Sequence, residues 1–183
     1  MAVSTDRRQA VVEAALRLVA EEGPRGLTHR GVDRALSLPL GSTANYFSSR
    51  ADLVGALVDH LEVLDRAVYA SLAAAGPVTD RESLVRALVG FADQMCRGAL
   101  AEATRARMSL VLSGVDVGDG HDRLIGSLTA VLDGVGVGAA EEVARAVADH
   151  LDGYALHHLT LDRAWDADGL GRSLLALVAR PVS

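Results

Sequence analysis

Apolar residues recur along this chain at spacings of three and four, with no sustained alternation of period two, and this pattern predicts helices nearly throughout. A first helix is predicted over about Asp6–Glu22, with Val11, Ala14, Ala15, Leu18 and Val19 as its buried stripe. Gly23-Pro24 ends it. Thr28 offers an N-cap for a short helix over about His29–Leu36, which Leu38-Pro39 breaks. A third short helix over about Leu40–Phe47 follows Pro39, where a missing N–H costs little. Ser49 and Asp52 have capping-box spacing and open a long helix to about Ala75, closed by Gly76-Pro77. Thr79 with Glu82 reads as a second capping box, opening a helix to about Ala99. Further helices are predicted near Ala101–Leu112, Asp122–Leu132, Ala140–Leu161 and Asp168–Ala179. Gly114 to Asp122 reads as a loop, and a short turn surrounds Trp165. The fold class is all-α.

Two short helices joined by a tight turn, with a longer helix on each side, describe a helix-turn-helix. The second short helix of such a unit fits the major groove, where its N-terminal side chains meet base edges. The net charge of −6 argues against a nucleic-acid binder if taken whole. Phosphates, however, meet only a local surface. From Gly23 to Arg50 four arginines (Arg25, Arg30, Arg34, Arg50) face one acid, Asp33, so that window is +3 and the rest of the chain −9. An acidic body repels DNA and biases contact toward the basic segment.

The residues of that segment resemble the TetR family of bacterial transcriptional regulators. They run Leu27-Thr28-His29-Arg30-Gly31-Val32, then Ala35-Leu36-Ser37-Leu38-Pro39-Leu40-Gly41-Ser42-Thr43-Ala44-Asn45-Tyr46-Phe47-Ser48-Ser49-Arg50-Ala51-Asp52-Leu53. Arg7-Arg8, Ala14-Ala15-Leu16 and Gly23 stand where that family's first helix places such residues. The resemblance covers roughly residues 7 to 55. It implies a helix-turn-helix DNA-binding domain over 1–55 and a ligand-binding and dimerisation domain over 56–183. By resemblance, Thr28 and Arg30 lie near the phosphate backbone, Gly41, Ser42, Thr43 and Asn45 occupy the recognition helix, Tyr46 ends it, and Arg50 lies just beyond. Leu27, Val32, Ala35, Leu38 and Phe47 read as the small core beneath them. There are two departures: Ser37 stands where the family commonly has Gly, and Ala44-Asn45-Tyr46 where it often has Tyr-Tyr-His. Arg34 reads equally as a solvated charge, Thr28 as a cap alone, and Tyr46 as a partly inward ring.

Beyond Ala75 no catalytic constellation stands out, so no enzyme activity, cofactor or metal is expected. The resemblance implies a homodimer, a double-stranded palindromic operator and a small-molecule effector whose binding releases a repressor. An activator, a ligand-independent regulator, and a helical interaction or carrier protein without DNA binding stay open as alternatives. The stripe Val147, Leu151, Tyr154 on one helix and Leu170, Leu174, Val178 on the next are expected at the dimer interface, against the alternative that both pack on their own subunit. A ligand pocket is expected among Phe91, Met95, Met108, Leu112, Tyr154, His158 and Trp165, residues that read equally as ordinary core.

The remaining composition narrows little. All 18 basic residues are Arg, which fits a high-GC bacterial genome. The single Cys96 and the absence of an apolar run after Arg7-Arg8 suit a reducing cytoplasm, and no stretch reads as a membrane span. His150 and His157 lie two turns apart, too far for one ion. Asp116–Asp122 lacks the ligand run of a calcium loop. Gly134–Gly138 lacks the spacing and strand context of a phosphate cradle.

Overall fold

A computed structural model of the chain describes residues 2–74, 76–117, 120–161 and 163–179; side chains are described from residue 6, and not at 68, 69 or 71–74. Ala75, Gly118 and Asp119, which fall in the predicted long helix and the predicted loop, lie outside the described residues. The described elements are helical: α1 (Ala2–Glu22), α2 (His29–Ala35), a 3₁₀ turn (Thr43–Asn45), α3 (Arg50–Ala74), α4 (Arg81–Cys96), α5 (Ala101–Leu112), α6 (Gly120–Gly134), α7 (Ala140–Thr160) and α8 (Ala167–Val178). The all-α reading stands.

Local chemistry explains most boundaries. Gly23, at φ +75°, ends α1. Thr28 caps α2, its Oγ1 accepting from Gly31 N at 2.9 Å. The Ser49–Asp52 box is reciprocal: Asp52 N donates to Ser49 Oγ at 3.1 Å and Ser49 N to Asp52 Oδ2 at 3.0 Å. The cap of α4 is Asp80, one residue beyond the predicted Thr79. Its carboxylate accepts from Ser83 N at 2.7 Å, while Ser83 Oγ accepts from Asp80 N at 3.1 Å.

The chain divides into two compact units, one of residues 1–65 and 102–117, the other of 66–101 and 118–183. In the first, Val11, Ala14, Ala15, Leu18 and Val19 of α1 are buried as the stripe predicts, with Leu53, Leu57 and Leu61 of α3 and Ala103, Ala106 and Leu110 of α5. Arg107 of α5 donates to Asp65 of α3 at 2.6 Å. In the second unit α6 packs along α7, α4 against α7 and α8, and α7 against α8. The core there is Leu84, Leu88 and Phe91 of α4, Ile125, Leu128 and Leu132 of α6, and the inner faces of α7 and α8.

This second core takes up the residues expected at the interface. Val147, Leu151, Tyr154, Leu170, Leu174 and Val178 are at most 5% exposed in the single chain, so their surface is already spent inside their own unit. The large apolar side chains that α7 and α8 leave exposed are Leu156 and Leu175.

Candidate functional site

The segment after α2 is built around one carboxylate. Asp33 is fully buried. Its Oδ1 accepts from Thr43 N at 2.8 Å and Thr43 Oγ1 at 2.7 Å, and its Oδ2 from Gly41 N at 2.7 Å. Burial pushes this carboxyl's pKa up. The Thr43 hydroxyl and N–H, the Gly41 N–H and the charge of nearby His29 more than offset that, holding it below the ordinary carboxylate value. Asp33 thus ties α2 to the start of the 3₁₀ turn at three points and satisfies N–H groups that a helix start leaves without partners.

The turn is shorter than the predicted helix over Leu40–Phe47. Gly41 sits at φ +89°, a left-handed conformation no helix residue adopts, so the helical course begins only at Ser42 (φ −60°, ψ −44°). Asn45 N donates to Ser42 O and Tyr46 N to Thr43 O, at 3.2 and 3.0 Å, the three-residue spacing of a 3₁₀ turn. Ser37, the residue standing where a Gly was expected, sits at φ +52°.

Thr43 was expected to face DNA. It is fully buried with its hydroxyl committed to Asp33, so it is a positioning residue and cannot reach a base. Ala35, expected in the small core, is exposed, and Leu38 is only half-buried, whereas Leu27, Val32 and Phe47 are buried. In this segment the side chains of Arg30, Leu40, Ser42, Ala44, Asn45 and Tyr46 are exposed or half-exposed. Ser42 Oγ donates to Pro39 O at 2.6 Å. Arg50 turns inward with two of its donors: Nε reaches Leu27 O at 3.0 Å and Nη2 reaches Pro24 O at 2.6 Å, bracing the turn between α1 and α2. Its remaining N–H groups stay on an exposed side chain. His29 Nε2 donates to Phe47 O at 2.7 Å, and the Arg8 guanidinium lies 4.6 Å over the Phe47 ring. Sequence reasoning counted Asp33 only as an acid that lowered local charge. An acid ten residues before a threonine and eight before a glycine carries no readable signal of a shared hydrogen-bonded site.

In the second unit an apolar hollow of about 300 Å³ lies between α4, α6 and α7, with Leu88, Phe91, Leu128 and Leu151 in its walls and Ser127 and Val131 at its open side. Of the seven residues expected to line a pocket, Phe91 lines this hollow and Tyr154 lines a separate one between α7 and α8. Met95 is buried elsewhere on α4, Met108 belongs to α5 in the first unit, and Leu112 is 82% exposed. Tyr154, His158 and Trp165 fasten the turn between α7 and α8. The Tyr154 hydroxyl accepts from Asp166 N at 2.9 Å, its ring meets Trp165 edge-on at 5.6 Å, and His158 Nδ1 donates to Arg163 O at 2.6 Å. The third histidine of interest, His150, meets Ser173 Oγ at 2.8 Å in a separate polar hollow that also holds Asp149, His157 and Arg163.

No protein-family model matches the chain, and no curated protein does. Solved structures do. A member of the TetR family from Streptomyces coelicolor A3 is 26% identical, with a TM-score of 0.73 over 96% of this chain and 99% of that one. The multidrug binding protein EbrR in complex with ethidium is 27% identical, with a TM-score of 0.68 over 96% and 99%. A transcriptional regulator from Rhodococcus sp. Rha1, 19% identical with a TM-score of 0.76 over 93% of each chain, shares the fold.

Proposed function

From the premise that the chain belongs to the TetR family of transcriptional regulators, we propose that it is a repressor that binds a palindromic operator as a dimer and leaves it when a small molecule binds. The observation that carries this reading is the Asp33-pinned turn, which presents Arg30, Ser42, Asn45 and Tyr46 together on an otherwise acidic protein. Arg30, Thr28 and the free N–H groups of Arg50 suit phosphate oxygens; Ser42 and Asn45 suit base edges. Residues 1–55 are the reading part and 56–183 the sensing and pairing part, with α5 returning to brace the reader. Pairing runs through the outer faces of α7 and α8, where Leu156, Leu175, Ala176 and Ala179 are exposed. Two readers about 34 Å apart then meet successive turns of one groove. An effector that binds better to a state with a different spacing draws the population off DNA by that difference in affinity.

EbrR, which this chain resembles, is solved in complex with ethidium and with malachite green, and this supports a small-molecule effector. No described helix is long and apolar enough to cross a membrane, which fits action in the cytoplasm. The same fold serves an activator equally; a reporter driven by the target promoter separates the two.

The test is fluorescence anisotropy with DNA from upstream of the chain's own gene, across a salt series. Wild type is expected to bind with affinity falling steeply as salt rises. Arg30→Ala is expected to weaken binding evenly across sequences and lower the salt slope by about one. Asn45→Ala is expected to cost about 1–3 kcal/mol and relax preference at one base position. Salt-independent binding, or variants indistinguishable from wild type, refutes DNA recognition by this turn.

A further inference from the structure

We infer that the effector is an uncharged, apolar molecule held in the hollow between α4, α6 and α7; the inference rests on the regulator reading and specifies its ligand. The hollow holds about 300 Å³, the small end of the range of about 300–1,000 Å³ that ligand sites span. Its walls are deep in the unit: Leu84, Leu88, Phe91, Leu128, Ala148 and Leu151 are between 2% and 8% exposed. Its open side is marked by Ser127 and Val131.

A cation is held in such a site by a carboxylate or by a cage of aromatic faces. Neither is present among the described residues of the lining, which include no charged side chain and a single aromatic ring, Phe91. The nearby acids are placed elsewhere. Asp93 pairs with Arg97 and Glu141 with Arg145. Asp133 and Glu142 line a different hollow, and Asp149 and Asp166 line the polar one between α7 and α8. An anion fares no better, because no arginine or histidine is among the described lining residues. A charged ligand would lose its hydration with nothing to replace it. The one polar side chain among the described lining residues, Ser127, sits at the mouth, where its hydroxyl can donate or accept a hydrogen bond, so a molecule with one oxygen or nitrogen at its end enters apolar part first.

Three fluorescent probes test this on the full chain. N-phenyl-1-naphthylamine is neutral. 1-Anilinonaphthalene-8-sulfonate has the same rings with a negative charge, and ethidium is a cation. The neutral probe is expected to bind at least tenfold more tightly than either ion. Leu124→Phe, which fills the lining, is expected to weaken it at least tenfold. Ser127→Asp, on an exposed position that leaves the core intact, is expected to narrow the gap between ethidium and the neutral probe at least tenfold. Equal or tighter binding of either ion to the wild type overturns the inference, as does neutral-probe binding that Leu124→Phe leaves unchanged. Because no DNA is present, operator binding with the probe order reversed sinks the ligand class alone. The expected probe order in a protein that ignores DNA sinks the regulator reading alone.

Discussion

Asp33 accepts three hydrogen bonds from the segment it faces, so exchanging it for asparagine sets an amide N–H against an N–H donor at a fully buried position. Asp33→Asn is expected to destabilise the protein by about 1–3 kcal/mol, the cost of one buried group left unpaired, and to loosen the reading turn with it. Urea unfolding reads the first and operator anisotropy the second. The carboxyl's folded pKa lies below its unfolded value of about 3.9. Its contribution is therefore complete above that value and is lost as pH falls through the folded one. Wild type should lose stability on acidification in that window, and the variant should lose less. Ser37 behaves oppositely. At φ +52° it holds a conformation that costs an L-residue about 1–2 kcal/mol. Ser37→Gly removes that strain while adding freedom to the unfolded chain, and a net gain of roughly 0.5 kcal/mol is expected. A thermal scan should show Tm rising by about 1–2 °C; a fall would mean that the serine side chain is doing something the backbone angle does not explain.

At the scale of elements, periodicity and capping residues located the helices well because both are local. The stripe of α1 and the Ser49–Asp52 box lie within a few residues of one another, and the chain's own pitch brings them together. The recognition element is shorter than periodicity suggests because one angle at Gly41 decides where a helical course can start, and glycine is compatible with either outcome. The stripes of α7 and α8 were equally plain, yet a stripe states only that a face is apolar and leaves its partner open. Here the partners are α4, α6 and each other. That leaves the outer faces for a second copy. Leu175→Asp, at a position 42% exposed, is expected to keep the helical circular dichroism and shift sedimentation toward the single chain, with weaker operator binding. An unchanged mass would place the pairing surface elsewhere.

For the whole molecule, the all-helical class was readable from sequence, whereas the apolar hollow was not. Its lining comes from Val78 and from three helices, and apart from Ser127 each of these residues is a leucine, valine, alanine or phenylalanine that would suit any core. Only packing decides which of them leave space between them. The sequence also conceals that α5 returns across some forty residues to the first unit, where Arg107 meets Asp65 and Ser109 Oγ lies 3.6 Å from where a Cβ on Gly23 would stand. The proposed reader is therefore not a cassette at the front of the chain. A hybrid regulator made by joining its first 55 or 65 residues to a foreign sensor would import a helix-turn-helix with one wall missing, its leucines open to solvent and to each other. A graft that worked would have to carry the 102–117 segment along, or borrow a helix of the same shape from the new host.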